Sequence, residues 1–287
     1  MKKALIIGAG PAGISASLYL IRSNTAEVTV ITNGTSSLEK AELIENYFGF
    51  AQPISGKQLL QNARAGAERL GVKFIDDELT GLSFTDDMRF EAETVKSKDI
   101  YDAVLIATGS ARKSPSIKGL SEFEGKGVSY CAVCDAFFYM KKDVAVIGNG
   151  EYASHEASIL LRTASNVTLL SDGKGLSAKL PDGVKHNDIK IRSITGSQRV
   201  ERVEFEDGSS LDVNGIFVAA GTAGSTEIAR KIGVATDDKK IIVDDNFATN
   251  VPGIFAAGDC IGGLLQVSKA VGDGAVAGIN MIKFLKK

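Results

Sequence analysis

One stretch decides the fold of this chain of 287 residues: Ala4-Leu5-Ile6-Ile7-Gly8-Ala9-Gly10-Pro11-Ala12-Gly13. Its four leading apolar residues predict a short strand that is buried on both faces of a parallel sheet. The glycine-rich turn follows at once and opens a predicted helix that runs to about Arg22. Glycines in this setting allow the backbone to approach a pyrophosphate, whose charge then faces the helix N-terminus. The stretch therefore predicts a dinucleotide-binding unit.

The next two strands complete this unit. The strand Glu27–Thr32 lacks the acidic residue that ordinarily binds a ribose at its end, because the sequence there reads Thr32-Asn33. A further buried strand over Asp102–Gly109 ends in a second glycine turn. Its last residues, Thr108-Gly109, lie at a strand end that we expect to touch the first nucleotide.

The same pattern returns in the middle of the chain. Asp143–Ile147 predicts a buried strand, Gly148-Asn149-Gly150-Glu151-Tyr152-Ala153 repeats the glycine turn with alanine in the last place, and Asn166–Leu170 predicts the following strand. An arginine cluster after that strand would seat the 2′-phosphate of NADPH, but Ser171–Leu176 contains no arginine. Asp172 would repel a phosphate there; it fits a ribose hydroxyl of NADH or a solvated turn.

The first unit resumes near the C-terminus. Gly253-Ile254-Phe255-Ala256-Ala257-Gly258-Asp259 predicts a strand that runs into a glycine turn, where the aspartate can accept hydrogen bonds from a hydroxyl of a flavin dinucleotide. Residues 267–285 have helical spacing. The sequence therefore predicts an α/β protein with two Rossmann-like, three-layer ββα nucleotide-binding domains, the second inserted into the first. The predicted first domain comprises residues 1–112 and 245–287, and the inserted domain residues 113–244.

A pair of cysteines stands between the two units, in Cys131-Ala132-Val133-Cys134-Asp135. Two intervening residues allow a disulfide, and a thiol near a helix start has its thiolate stabilised. Half of a zinc site and two buried structural thiols are the alternatives. Zinc would need further ligands, and His155, His186 and Cys260 have no zinc-like spacing, so we expect no metal. The flanking glycine turns favour a redox dithiol, and Cys260 is expected to be a small buried residue.

Composition and charge exclude several classes of protein. The net charge of −2 provides no global basic surface for nucleic acid, and no lysine run indicates a membrane-binding patch. No apolar stretch reaches the length that a membrane span requires. Three cysteines in the whole chain argue against a secreted disulfide scaffold and favour a reducing cytoplasm.

Together these motifs resemble those of the low-molecular-weight thioredoxin reductases over essentially the full chain. The resemblance rests on Gly8–Gly13, Glu45-Asn46, Ala107–Gly109, Cys131–Phe138 and Gly253–Asp259. It implies that Cys134 faces the flavin, that Cys131 attacks a protein disulfide and that Asp135 manages protons. It also implies a homodimer.

The resemblance further implies FAD as the cofactor. The family's flavin-contacting Arg-Gln-Ala falls at Leu265-Gln266-Val267, so only the glutamine is retained. The implied FAD-binding residues are Gly8, Gly10, Pro11, Ala12, Gly13, Thr32, Asn33, Asn46, Thr108, Gly109, Gly258, Asp259, Gln266 and Val267.

Two departures indicate a particular branch. The His-Arg-Arg stretch with which the family holds NADPH is missing after Leu170, and the second domain is abbreviated. In both respects the chain is similar to the ferredoxin-dependent flavin thioredoxin reductases. We therefore expect ferredoxin to supply electrons through FAD and the Cys131–Cys134 dithiol to thioredoxin, without NADPH. The alternatives are an NAD(P)H-dependent thioredoxin reductase, a flavin-dependent disulfide oxidase and a flavin-binding redox sensor.

Overall fold

The computed structural model describes residues 1–33, 36–109, 115–130, 132–220, 225–237 and 240–287. Its strands are β1 Lys2–Ile7, β2 Ala26–Thr32, β3 Lys73–Asp76, β4 Leu79–Phe84, β5 Phe90–Thr94, β6 Lys98–Tyr101, β7 Ala103–Ile106, β8 Val128–Ser129, β9 Asp143–Ile147, β10 Asn166–Leu170, β11 Lys185–Asn187, β12 Ile191–Gly196, β13 Val200–Phe205, β14 Ser210–Asp212, β15 Gly215–Val218, β16 Thr236–Asp237, β17 Lys240–Ile241 and β18 Ile254–Ala256. Its α-helices are α1 Pro11–Arg22, α2 Gly56–Arg69, α3 Ala132–Asp135, α4 Glu151–Leu160, α5 Ser225–Lys231 and α6 Val267–Leu285. Short 3-10 helices cover Ser37–Lys40, Ser121–Phe123, Ala136–Tyr139 and Asp259–Ile261.

The chain forms two compact units, the second inserted into the first. Unit 1 comprises Met1–Ala111 and Gly224–Lys287, and unit 2 comprises Arg112–Ala223. The sequence predicts a return to the first domain at residue 245, whereas unit 1 already resumes at Gly224. The difference arises because α5 packs beside β4, where the Lys231 Nζ donates to the carbonyl of Thr80 at 3.4 Å.

Unit 1 is built on a parallel sheet with the strand order β18-β7-β1-β2-β3. Residues 4–7 of β1 are buried, as the unbroken apolar run predicts. Helix α1 begins with Pro11, whose fixed backbone angle suits a first helical position, and it packs against α6. A Cβ at Gly274 of α6 would lie 2.0 Å from the Ala12 carbonyl oxygen, so only glycine permits this close approach. The strands β4-β5-β6 form a separate antiparallel meander.

Unit 2 repeats this plan with the parallel strand order β11-β10-β9-β15-β8. The antiparallel strands β12-β13-β14 form a separate sheet. The repeat extends to single hydrogen bonds: the Gly8 amide donates to the Ile31 carbonyl at 2.9 Å, and the Gly148 amide donates to the Leu170 carbonyl at 3.0 Å. The predicted α/β fold with two Rossmann-like domains is confirmed. Among the described residues, no helix is both long and apolar enough to cross a membrane.

Candidate functional site

The glycine turn of unit 1 forms an open cradle at the carboxyl end of β1. Gly8 has a φ of 109°, and a Cβ there would lie 2.4 Å from the Ala107 carbonyl oxygen, so the turn packs tightly on the end of β7. Above Gly10, by contrast, no described atom lies within 4 Å of the position of a Cβ. This open space lies directly before the N-terminus of α1, where backbone N–H groups attract an anion.

The equivalent turn of unit 2 is covered by the chain itself. The Ser177 backbone amide donates to the Asn149 carbonyl at 2.8 Å, and the Ser177 hydroxyl donates to the same oxygen at 3.1 Å. The Asn149 amide donates to the Gly175 carbonyl at 3.0 Å. A Cβ at Gly150 would lie 3.5 Å from the Ser177 Oγ. The segment over residues 175–179 therefore lies across this turn, whereas the described residues leave the position of a Cβ at Gly10 in the turn of unit 1 open.

The turn after β10 has a structural role of its own. Asp172 has a φ of 54°, and its Oδ1 accepts a hydrogen bond from the Ile191 amide at 2.8 Å. The sequence left two functions open for Asp172, a ligand of an NADH ribose and a turn residue. Because its carboxylate stabilises the turn, the structure favours the turn residue.

The predicted FAD-binding residues of unit 1 lie mostly at one edge of its sheet. The strands β1, β2, β7 and β18 are parallel, so their carboxyl ends carry the Gly8 turn, Thr32-Asn33, Thr108-Gly109 and Gly258-Asp259 to the same edge. Open α/β sheets bind their ligands at this edge.

Two further predicted residues meet beside the start of α6. The Asn46 side-chain amide donates to the Gln266 Oε1 at 3.1 Å, and Gln266 immediately precedes the helix that begins at Val267. Both side chains are exposed. The contact links the loop after β2 to the chain segment before α6.

A partly buried ion pair, Lys269 with the buried Asp273, holds the turn that carries Asp259. The Asp273 Oδ2 accepts hydrogen bonds from the Gly258 amide at 3.2 Å and from the Lys269 Nζ at 2.7 Å. Lys269 also donates to the Gly262 carbonyl at 2.6 Å. Burial raises the pKa of the Asp259 carboxyl; Lys269 opposes this effect and Asp273 adds to it. The sequence analysis missed this pair, although a lysine and an acid four residues apart on a predicted helix are a signal for it.

Part of the predicted dithiol lies outside the described residues, namely Cys131 and the side chain of Cys134. The backbone of Cys134 lies in α3. At the end of this helix, the Asp135 Oδ2 accepts a hydrogen bond from the Ser129 hydroxyl at 2.6 Å. At its start, the Ala132 amide donates to the Glu156 Oε2 at 2.7 Å. Glu156 on α4 is a third residue that sequence reasoning missed, after Lys269 and Asp273.

The third cysteine is structural, as predicted. Cys260 is fully buried, and its Sγ donates to the carbonyls of Ile106 at 3.4 Å and Ala257 at 3.3 Å. Burial raises the pKa of this thiol to about 12, so it stays protonated and unreactive.

Comparison with known proteins identifies the class. The family of pyridine nucleotide-disulphide oxidoreductases matches residues 2–274. Thioredoxin reductase of Listeria monocytogenes is 33% identical over 304 residues, which cover 99% of this chain and 93% of the relative.

Two solved structures extend the comparison. The atypical thioredoxin reductase TRi from Desulfovibrio vulgaris Hildenborough is 37% identical with a TM-score of 0.94, covering 100% of this chain and 98% of that one. A ferredoxin-flavin thioredoxin reductase from Clostridium acetobutylicum is 28% identical with a TM-score of 0.73, and the match covers 99% of this chain and 98% of that one. The chain thus belongs to the thioredoxin reductases among the pyridine nucleotide-disulphide oxidoreductases.

Membership in this family implies a flavin cofactor, FAD, and unit 1 fits it. The cradle above Gly10 is open before a helix N-terminus, as a pyrophosphate requires. In addition, the hydroxyl oxygen of Thr108 is buried and has no hydrogen-bond partner among the described residues. Such an atom is costly unless a ligand satisfies it. Both features lie at the sheet edge where the predicted FAD-binding residues converge.

Proposed function

We propose that this protein is a thioredoxin-disulfide reductase that receives its electrons from ferredoxin and not from NADPH or NADH. The observation that carries the proposal is the segment 175–179, which hydrogen-bonds across the glycine turn of unit 2. A nicotinamide dinucleotide needs that turn for its pyrophosphate.

The covered turn is stabilised from several sides. Besides the bonds between Asn149, Gly175 and Ser177, the Ser154 hydroxyl of α4 donates to the Lys179 carbonyl at 2.8 Å. Each of these bonds contributes about 1 kcal/mol, and a nucleotide would have to displace them together. The missing arginine cluster removes the compensating attraction for a 2′-phosphate.

Ferredoxin is the donor that this arrangement favours. When bound, FAD supplies a ring that accepts electrons singly from an iron–sulfur protein and passes a pair to a disulfide. The Clostridium structure named above is that of a ferredoxin-flavin thioredoxin reductase, and its fold matches this chain throughout. The proposed FAD-binding residues are those that the sequence predicts, from Gly8 to Val267, and Lys269 and Asp273 position Gly258 among them.

The dithiol performs the exchange with thioredoxin. In the proposed sequence the Cys131 thiolate attacks one sulfur of the thioredoxin disulfide and forms a mixed disulfide. The Cys134 thiolate then attacks Cys131, so that thioredoxin leaves as a dithiol and the Cys131–Cys134 disulfide forms again. Asp135, held by the Ser129 hydroxyl, supplies or takes the proton. We further propose a homodimer in the cytoplasm.

An exposed aromatic pair follows the dithiol directly. Phe137 is 73% exposed and Phe138 is 66% exposed, with ring centroids 6.4 Å apart. Large apolar side chains at the surface are costly to leave in water and are typical of contact sites. This pair is the proposed contact for thioredoxin.

Anaerobic stopped-flow spectroscopy tests the electron donor. We expect reduced ferredoxin to bleach the flavin rapidly, and excess NADPH or NADH to leave it oxidised on the same timescale. Turnover with thioredoxin should disappear in Cys131→Ser and persist in Cys260→Ser, whose buried thiol has no part in the exchange. Rapid bleaching by a nicotinamide would overturn the proposal.

The second candidate is an NAD(P)H-dependent thioredoxin reductase. The match of residues 2–274 to the pyridine nucleotide-disulphide oxidoreductases favours it. It requires the 175–179 segment to leave the turn of unit 2 before the nucleotide binds. The stopped-flow comparison separates the two candidates directly.

A further inference from the structure

Two buried side chains of α4 reach the peptide groups on either side of Cys131. The Tyr152 hydroxyl donates to the Tyr130 carbonyl at 3.5 Å, and the Glu156 Oε2 accepts from the Ala132 amide at 2.7 Å. Both side chains are 1% exposed, and they stand one helical turn apart on the same face of α4. The helix whose N-terminus is covered by the segment 175–179 therefore contacts the dithiol segment through this face.

Glu156 is the more informative of the two. A buried carboxylate is costly to remove from water, and a hydrogen bond to a charged acceptor is about twice as strong as a neutral one. Its partner is the peptide nitrogen that joins Cys131 to Ala132, the first residue of α3. A negative charge beside the amide that follows Cys131 disfavours a second negative charge on the neighbouring thiol.

We propose that Glu156 is a positioning residue of the dithiol: it holds the first peptide of α3 in place, and its charge disfavours the thiolate forms of Cys131 and Cys134. The inference rests on the proposed function and deepens it, because it concerns the reducing strength of the same dithiol.

The chemical consequence follows from the balance of the reaction. Reduction of the Cys131–Cys134 disulfide breaks one S–S bond and takes up two electrons and two protons to form two thiols. Stabilising the thiolate stabilises the reduced form, so the corresponding disulfide is a stronger oxidant. A dithiol whose thiolate is not stabilised is therefore a better reductant. Glu156 thereby favours electron transfer towards thioredoxin.

Of the neighbouring ionisable groups, Asp135 acts in the same direction, Tyr139 is neutral, and the positive charge of Arg199 beside Tyr139 opposes the effect. Asp135 at the end of α3 carries a second carboxylate, which accepts from Ser129. Tyr139, in the 3-10 helix next to α3, is held neutral because burial raises the pKa of its hydroxyl; Arg199 opposes that shift. The remaining ionisable side chains of α4 besides Tyr152 and Glu156 are Glu151 and His155.

The test measures the thiols themselves. The FAD-loaded protein is reduced with dithiothreitol under anaerobic conditions, and the rate of alkylation by iodoacetamide is followed against pH, with mass spectrometry assigning each cysteine. In the unmodified protein we expect the lower apparent thiol pKa at about 8.5 or above, not near 7 as in many Cys-x-x-Cys motifs. In Glu156→Gln, whose carbonyl still accepts the Ala132 N–H, we expect it about one unit lower, which means about tenfold more thiolate at neutral pH.

A matched variant separates charge from packing. Tyr152→Phe removes the other hydrogen bond to this segment without changing any charge, so its thiol pKa should equal that of the unmodified protein. Equal values in Glu156→Gln and the unmodified protein would overturn the inference. A thiol pKa near 7 in the unmodified protein would also overturn the inference, and this measurement does not depend on whether a variant folds. Neither readout uses ferredoxin or thioredoxin, so failure of the proposed function would be seen separately, as absent turnover.

Discussion

The side-chain amide of Asn46 donates a hydrogen bond to Gln266 at 3.1 Å, across 220 positions of the sequence. Each residue alone is an ordinary polar side chain on an exposed loop. Their contact connects two segments that the family resemblance assigns to flavin binding. Unit 1 therefore assembles its proposed cofactor site from both ends of the chain.

Loss of this contact should weaken FAD binding. In Gln266→Ala the two segments lose a bond worth about 1 kcal/mol, so we expect the dissociation constant of FAD to rise about fivefold. Flavin fluorescence titration of the apoprotein measures it. Gln58→Ala is the matched control, because it breaks an equally exposed amide–amide bond of 2.8 Å to Asn62 on α2. Equal effects of both variants would contradict the prediction.

An alanine substitution should weaken FAD binding in the glycine turn of unit 1 and have no effect on it in the turn of unit 2. Gly10 and Gly150 are the N-cap residues of α1 and α4, with extended backbones that alanine adopts without strain. In Gly10→Ala the new methyl group enters the open cradle, so FAD binding should weaken at least about tenfold. In Gly150→Ala it makes an ordinary contact with the Ser177 Oγ at 3.5 Å. Flavin absorbance per protein and ferredoxin-linked turnover should therefore both stay normal in Gly150→Ala. Loss of turnover in this variant would contradict the proposal that the turn of unit 2 is covered and binds no nucleotide.

The ion pair on α6 should be important for stability. Lys269→Met leaves the Asp273 carboxylate buried without its cation, and we expect the free energy of unfolding to fall by about 2–3 kcal/mol in urea titrations. Arg202→Met breaks the exposed pair with Asp212 and should lower the free energy of unfolding far less, because solvent screens this pair. If the free energy of unfolding falls no more in Lys269→Met than in this control, the Lys269–Asp273 pair does not stabilise the fold.

The stability contribution of Asp259 should depend on pH. Burial raises the pKa of its carboxyl above 3.8, so the folded protein favours the protonated form. The favourable contribution is complete below the unfolded pKa and is lost as the pH rises through the folded pKa. Asp259→Asn should therefore unfold at a higher temperature than the unmodified apoprotein at neutral pH, and the difference should vanish below pH 3.8. Thermal unfolding followed by circular dichroism measures it, and a difference independent of pH would contradict the assignment.

The exposed aromatic pair should affect thioredoxin alone. Phe137→Ala removes a 73% exposed ring beside the dithiol, so the KM for thioredoxin should rise severalfold with FAD content unchanged. Phe84→Ala, on the meander of unit 1, is the control and should leave the KM as it was. Steady-state assays at varied thioredoxin concentration measure the KM. An unchanged KM in Phe137→Ala would show that this ring does not contact thioredoxin.

Much of the fold could be predicted because its signals are local. An apolar run such as Ala4–Ile7 followed by Gly8–Gly13 specifies strand, turn and helix within about twenty residues. The same pattern, starting at Asp143, specifies β9, its glycine turn and α4. Burial of Cys260 was also predictable, since it stands next to the Gly258-Asp259 turn that follows the buried strand β18.

The unpredicted features all depend on distant partners. The segment 175–179 covers the turn at Gly150, Asp273 reaches back to the Gly258 amide, and Glu156 meets the Ala132 amide. A hydrogen bond of this kind requires two groups to lie about 3 Å apart in a defined direction, and only the packed chain sets that distance. The sequence by itself determined the two nucleotide-binding-type units and the family, and it places Cys131 and Cys134 between the two glycine turns. Only the tertiary structure decided that one cradle is open and the other is covered, because both turns have the same glycine spacing, at Gly8 and Gly10 and at Gly148 and Gly150, and differ in what folds over them.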